Sequence, residues 1–128
     1  MRLLFVIAIL AVGFSLPAQA GSRSILKIHS NYTTAELLSP CQEADNDARW
    51  GQVAEIECEQ YIIGYVDALE VNGDIGPGTS ICLPEKNIPD EIRWAFMRWV
   101  HQSYSQRIKM MAGEAIIATL KETFPCDQ

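Results

Sequence analysis

Apolar positions recur along this chain at helical spacing. Between Ala54 and Val71, the side chains of Ile56, Tyr61, Ile62, Tyr65, Val66 and Leu69 share one broad face at a period of about 3.6 residues. Beyond Ile88, the residues Ile92, Ala95, Phe96, Trp99 and Val100 repeat the pattern. Ile108, Ala112, Ile116, Leu120 and Phe124 mark a last stripe, and a short segment before Cys41 carries Leu37 and Leu38. No stretch alternates with the two-residue period of a strand, and no internal repeat or low-complexity run is present. The pattern predicts an all-α, four-helix domain.

Local signals set the expected boundaries. Thr33 and Glu36 have the spacing of a capping box, with Tyr32 and Leu37 at the flanking hydrophobic-staple positions. Pro40 is expected to limit this first helix. The polar segment "QEADNDARWGQ" reads as loop, with Trp50 as its anchor. The second helix, from about Ala54 to Val71, carries Gly64 in its middle, where alanine would be better by about 1 kcal/mol. It stops at "NGDIGPGT", three glycines and a proline in eight residues. The third begins near Asn87 or Ile88, with Pro89 tolerated in the first turn and Asp90 and Glu91 at the positive helix end. One unbroken helix from Asp90 to Phe124 would be about 52 Å long, against a radius of gyration of about 13 Å for a domain of this size. A break is expected at "HQSYSQ", with Ser103 and Gln106 forming a second capping box, and Pro125 ends the last helix.

The first twenty residues do not belong to this pattern. Arg2, the apolar run Leu3–Leu16 and the small-x-small ending Ala18-Gln19-Ala20 read as an export leader cleaved after Ala20. The run is shorter than the roughly 20 apolar residues of a typical membrane span. The expectation is a single domain over residues 21–128, led in by residues 21–32. All four cysteines, Cys41, Cys58, Cys82 and Cys126, lie in that part, and an even count behind a leader reads as disulfides. If the last two long helices are antiparallel, Cys82 before the one lies at the same end as Cys126 after the other, leaving Cys41 to Cys58. Four cysteines allow three connectivities, and this is the one favoured.

Charge narrows the partners. Residues 30–91 hold 13 acids against two bases, Arg49 and Lys86, whereas residues 92–128 hold five bases and three acids. An acidic half disfavours nucleic acid and anionic membranes and favours a basic partner. The inventory for catalysis is thin. His29 sits in the lead-in and His101 near a helix end. There is no GxSxG elbow, no CxxCH haem signature, no phosphate loop and no zinc-ligand spacing. Asp67, Glu70 and Asp74 cluster around the end of the second helix, where paired carboxylates do acid–base work or simply face water. The three tryptophans read as core or rim packing, and "NYT" at 31–33 matches a glycosylation sequon. The reading is a binder, not an enzyme, with no metal and no cofactor.

The ordered set "ELLSPC" at 36–41, "CEQYIIGYVDAL" at 58–69, "ICLP" at 81–84, a tryptophan-bearing helix and "AIIATLKETFPC" at 115–126 resembles the Rap/Tai family of periplasmic immunity proteins against type VI secretion amidase effectors. The turn at "HQSYSQ" departs from it, since the family often has a proline there. The resemblance implies an all-helical fold, a periplasmic location and a job: binding a peptidoglycan amidase and occluding its cleft. It also implies structural roles for Tyr61, Gly64, Pro84, Trp99 and Pro125, with Gly64 allowing a neighbouring helix to approach closely.

The competing function is a periplasmic helical chaperone of the acid-stress type, also small, disulfide-linked and exported. A second copy of the chain is a further candidate partner. For the immunity reading, the loop Asn72–Ser80 is the expected inhibitory element, with Glu70, Gly73, Asp74, Ile75 and Pro77 as the partner-binding residues. Glycines let such a loop fold tightly and project, Pro77 limits the freedom lost on docking, and Cys82 anchors one end. The cysteine frame makes a direct prediction: thiol titration of the denatured, unreduced protein finds no reactive thiol, and two or more per chain would overturn the frame.

Overall fold

The computed structural model describes residues 31–46 and 51–126. The segment read as an export leader, His29, Trp50 and the rest of residues 47–50 lie outside it. Among the described residues five helices follow in order: α1 (Thr34–Glu43), α2 (Gly51–Val71), α3 (Ile88–Gln102), the single turn α4 (Tyr104–Arg107) and α5 (Ala112–Thr123). α1 packs chiefly on α2 and α3 chiefly on α5, with α2 against α3 closing the bundle. The core is one cluster, centred on Leu37, Ile62, Ile92, Phe96, Val100, Ile116 and Leu120, all fully buried. No described helix is long and apolar enough to cross a membrane.

α1 starts as its sequence dictates. The Thr33 side chain accepts from the Glu36 backbone N–H, and Glu36 Oε2 accepts from the Thr33 N–H at 2.6 Å. The remaining first-turn donors are satisfied from far along the chain. The Thr34 and Ala35 N–H groups donate to the carbonyls of Met110 and Ile108, while the Ala112 N–H at the start of α5 donates to the Tyr32 carbonyl. Two helix N-termini therefore complete each other.

Pro40 does not end α1. The helix runs three residues beyond it, with Pro40 buried. A proline at this position leaves the Glu36 carbonyl without its helical donor, and the Tyr32 hydroxyl, whose single proton is shared with Glu57 Oε1 at 3.3 Å, reaches that carbonyl at 3.4 Å. The lost bond is thus partly compensated from outside the helix.

α2 buries Cys58, Ile62, Val66 and Leu69, with Tyr61 and Tyr65 half-buried beside them. It begins three residues earlier than its apolar pattern indicates, and Ile56 is 55% exposed, off the core face. Gly64 corrects the expectation of close helix approach. It faces solvent, and a Cβ built there meets nothing within 4 Å. The close approach occurs at Gly113 on α5, where a Cβ would stand 2.7 Å from the Tyr65 ring.

The "HQSYSQ" break falls at Ser103, but not as a capping box, because the Ser103 side chain makes no capping bond. Only one turn follows. Arg107 sets its position: the guanidinium lies 3.8 Å from the centroid of the Trp99 ring and donates to the Trp99 carbonyl. The last long helix thus starts at Ala112, leaving Ile108 outside it though still packed on the core. Phe124 is the C-cap, and Pro125 follows.

Two disulfides staple the bundle. Cys41–Cys58 joins α1 to α2, and Cys82–Cys126 joins the approach to α3 with the chain beyond α5. The Cys82 N–H also donates to the Phe124 carbonyl at 2.9 Å. Buried Arg93 adds a polar pin. Its guanidinium donates to Asp45 beyond α1 and to Asp90 at the start of α3, each at 3.1 Å.

The two glycines predict opposite outcomes in chemical denaturation. Gly64→Ala stabilises by about 0.5–1 kcal/mol, since it improves helix propensity at an open site. Gly113→Ala destabilises by about 1–3 kcal/mol, because the Tyr65 ring must shift.

Candidate partner-binding surfaces

The loop after α2 is held along its length. α2 ends in a Schellman motif: the Gly73 N–H donates to Glu70 and the Asp74 N–H to Leu69, with Gly73 at φ +77°. Gly76 and Gly78 also have positive φ, at 117° and 89°. The Gly76 N–H donates to the Ile81 carbonyl, and the Thr79 hydroxyl bridges Gly76 and Ile81 from inside the turn. Ile75 packs against the core and Ile81 is buried in it. Outward are Glu70 to Asp74, Pro77, Gly78 and Ser80. Of the expected partner-binding residues, Ile75 is thus a seat for the loop and Gly73 a backbone requirement, while Glu70, Asp74 and Pro77 face solvent.

Asp67 also faces solvent. The described acids that converge closely are instead Glu55, Glu59 and Asp90, with carboxylate oxygens within 4.8 Å of one another. Burial, then Asp90 and Glu55, push the Glu59 carboxyl upward, and nearby Arg93 works against that shift. His101 is exposed, stacks on Tyr104 and meets the Gln42 side-chain nitrogen at 2.9 Å. Trp99 is buried, whereas Trp94 is 43% exposed on the outer face of α3, beside Met97 and Arg98.

A second concavity lies between α1 and α2, a groove of about 530 Å³. Pro40, Val53 and Ala54 supply apolar walls, and Glu36, Glu43 and Glu57 supply carboxylates. Tyr32 closes one side, its ring 5.1 Å from that of Tyr61, which in turn stacks on Tyr65 at 6.4 Å. The Tyr32 hydroxyl also donates to Glu57 Oε1 at 3.3 Å. Sequence reasoning missed this groove, although it expected an acidic surface. Its signal was the run of acids on the first two helices without a Lys or Arg among them.

A family model for the Rap1a immunity proteins matches residues 33–126. The chain belongs to that family. No curated protein and no solved structure matches it. The Rap1a match opens at the N-cap of α1 and closes on Cys126, so it spans all five helices and both disulfides. Within it, Tyr61 belongs to the tyrosine stack, Trp99 is buried under Arg107, Pro84 is half-buried, and Gly64 and Pro125 are exposed.

The groove's electrostatics give a pH prediction. Burial, followed by the charge of Glu57, pushes the Tyr32 phenol from 10.0 up to about 12. A phenol with a raised folded-state pKa holds its proton more tightly when folded, so its stabilising effect is complete below pH 10 and is lost as pH rises toward 12. Absorbance titration is expected to show a late-titrating phenol that Tyr32→Phe removes. The variant's stability should also fall less steeply across that window.

Proposed function

We propose that this chain is an exported, non-catalytic immunity protein that binds a secreted peptidoglycan amidase and blocks its cleft. Membership of the Rap1a immunity proteins over the whole stapled domain is the observation that carries this reading. Two disulfides fit an oxidising compartment, in keeping with an N-terminal export leader and the periplasm. A domain fixed by two covalent links loses little entropy on docking, which suits an inhibitor that must act without folding around its target.

In this reading the Asn72–Ser80 loop meets the cleft. Its backbone is already hydrogen-bonded, Ile75 and Ile81 seat it, and Cys82 fixes its far end. Pro77 and Asp74 are its outward contacts, and Glu70 at the helix end adds negative charge that speeds encounter with a basic rim.

The test is calorimetric titration at neutral pH against secreted cell-wall amidases, beginning with any encoded next to this gene. Wild type is expected to bind and to protect peptidoglycan. Asp74→Lys combined with Pro77→Glu should weaken binding by about tenfold or more without changing the helical signal. Unchanged affinity removes the loop from the interface. A protein that binds no such hydrolase, yet prevents aggregation of unrelated clients only at acid pH, would overturn the immunity reading in favour of a chaperone.

A further inference from the structure

We propose that the groove between α1 and α2 is a docking surface for a protein segment that is both basic and aliphatic. The partner's identity rests on the immunity reading above; the chemistry of the groove does not. Glu36, Glu43 and Glu57 stand around apolar walls, and among the described residues no Lys or Arg lines the groove. Val53, one of those walls, is 60% exposed, and Ile56 on the same helix, outside the groove lining, is 55% exposed. Lys and Arg side chains match this combination, because their stems cover aliphatic surface while their heads reach carboxylates.

The carboxylates are also partly oriented. Glu36 Oε2 is fixed by Thr33 and Glu57 Oε1 by the Tyr32 hydroxyl, and a carboxylate keeps further acceptor sites after one such bond. An arriving cation therefore meets acceptors already in place. The same negative charge turns away nucleic acid and anionic lipid. Along α2, the groove residues Val53, Ala54 and Glu57 lie about 22–28 Å from the start of the 72–80 loop, at 1.5 Å per residue. It is a second surface and not a flank of the first.

One other occupant has similar chemistry. The chain's own residues 23–28, "RSILKI", are basic and aliphatic and precede Tyr32 at the groove's edge. The experiment separates the two. ¹⁵N-labelled protein beginning at Gly21 is titrated with a short alternating Leu–Lys peptide and, separately, with its Leu–Glu counterpart. Amide shifts are expected at Ser39, Glu43, Val53 and Ala54 with the first peptide only. In the variant Glu43→Lys/Val53→Ser, at exposed positions, the Kd should rise by about tenfold with melting unchanged. Absence of shifts at millimolar peptide, equal shifts with both peptides, or shifts centred on Trp94 or the 72–80 loop would overturn the proposal. So would groove shifts produced by Arg23→Glu/Lys27→Glu alone, which would assign the groove to the lead-in. If the Leu–Lys peptide seats in the groove but no such amidase binds, the immunity reading fails and the groove stands. If the amidase binds equally to Glu43→Lys/Val53→Ser, the groove is not its surface.

Discussion

The Cys41–Cys58 disulfide is the contact on which the α1/α2 half of this molecule depends. α1 has ten residues, too few to persist alone in water. The bond closes a loop with a sequence separation of 17, a constraint worth about 3 kcal/mol in the chain-entropy account. Both cysteines are fully buried, so the link also belongs to the core. Pro40 and Glu57, their immediate chain neighbours, line the groove, which makes the groove's walls covalently tied to each other. Arg93 extends the tie, since it reaches both the Cys41 carbonyl and Asp45 from α3.

The other end of the molecule is organised differently. Around Cys82–Cys126 the backbone supplies most of the order: a Schellman turn, three left-handed glycines and a chain of loop hydrogen bonds. The long α2 connects the two ends. One end offers a groove with acidic sides, the other a stitched loop, and neither requires the bundle to move in order to present itself.

Much of the fold could be read from residues alone. The apolar stripes of α3 and α5, the Thr33–Glu36 box and the glycine-rich stop after Val71 are local signals, and the structure contains each of them. What escaped depends on partners distant in sequence. Pro40 reads as a limit to α1 because nothing nearby in the sequence announces that Tyr32 reaches the freed carbonyl. Gly64 and Gly113 are both helical glycines; only the position of the Tyr65 ring tells which one needs to lack a side chain. Ser103 has capping-box spacing, but Arg107 folded over Trp99 sets the corner instead. For the candidate surfaces, the acidity of the first two helices was legible. Its division between a groove and a loop was not, since that depends on which turns of α1 and α2 face each other.

The exchange of hydrogen bonds between the starts of α1 and α5 bears on how the chain folds. The Thr34 hydroxyl donates to a carbonyl 76 residues downstream, and the neighbouring backbone donors reach equally far. The first helix cannot satisfy its opening turn until nearly the whole domain is available. Such contacts raise contact order and place the loop-closure cost early, before the reward. The opening turn of α1 is therefore completed only when the segment just before α5 is in place.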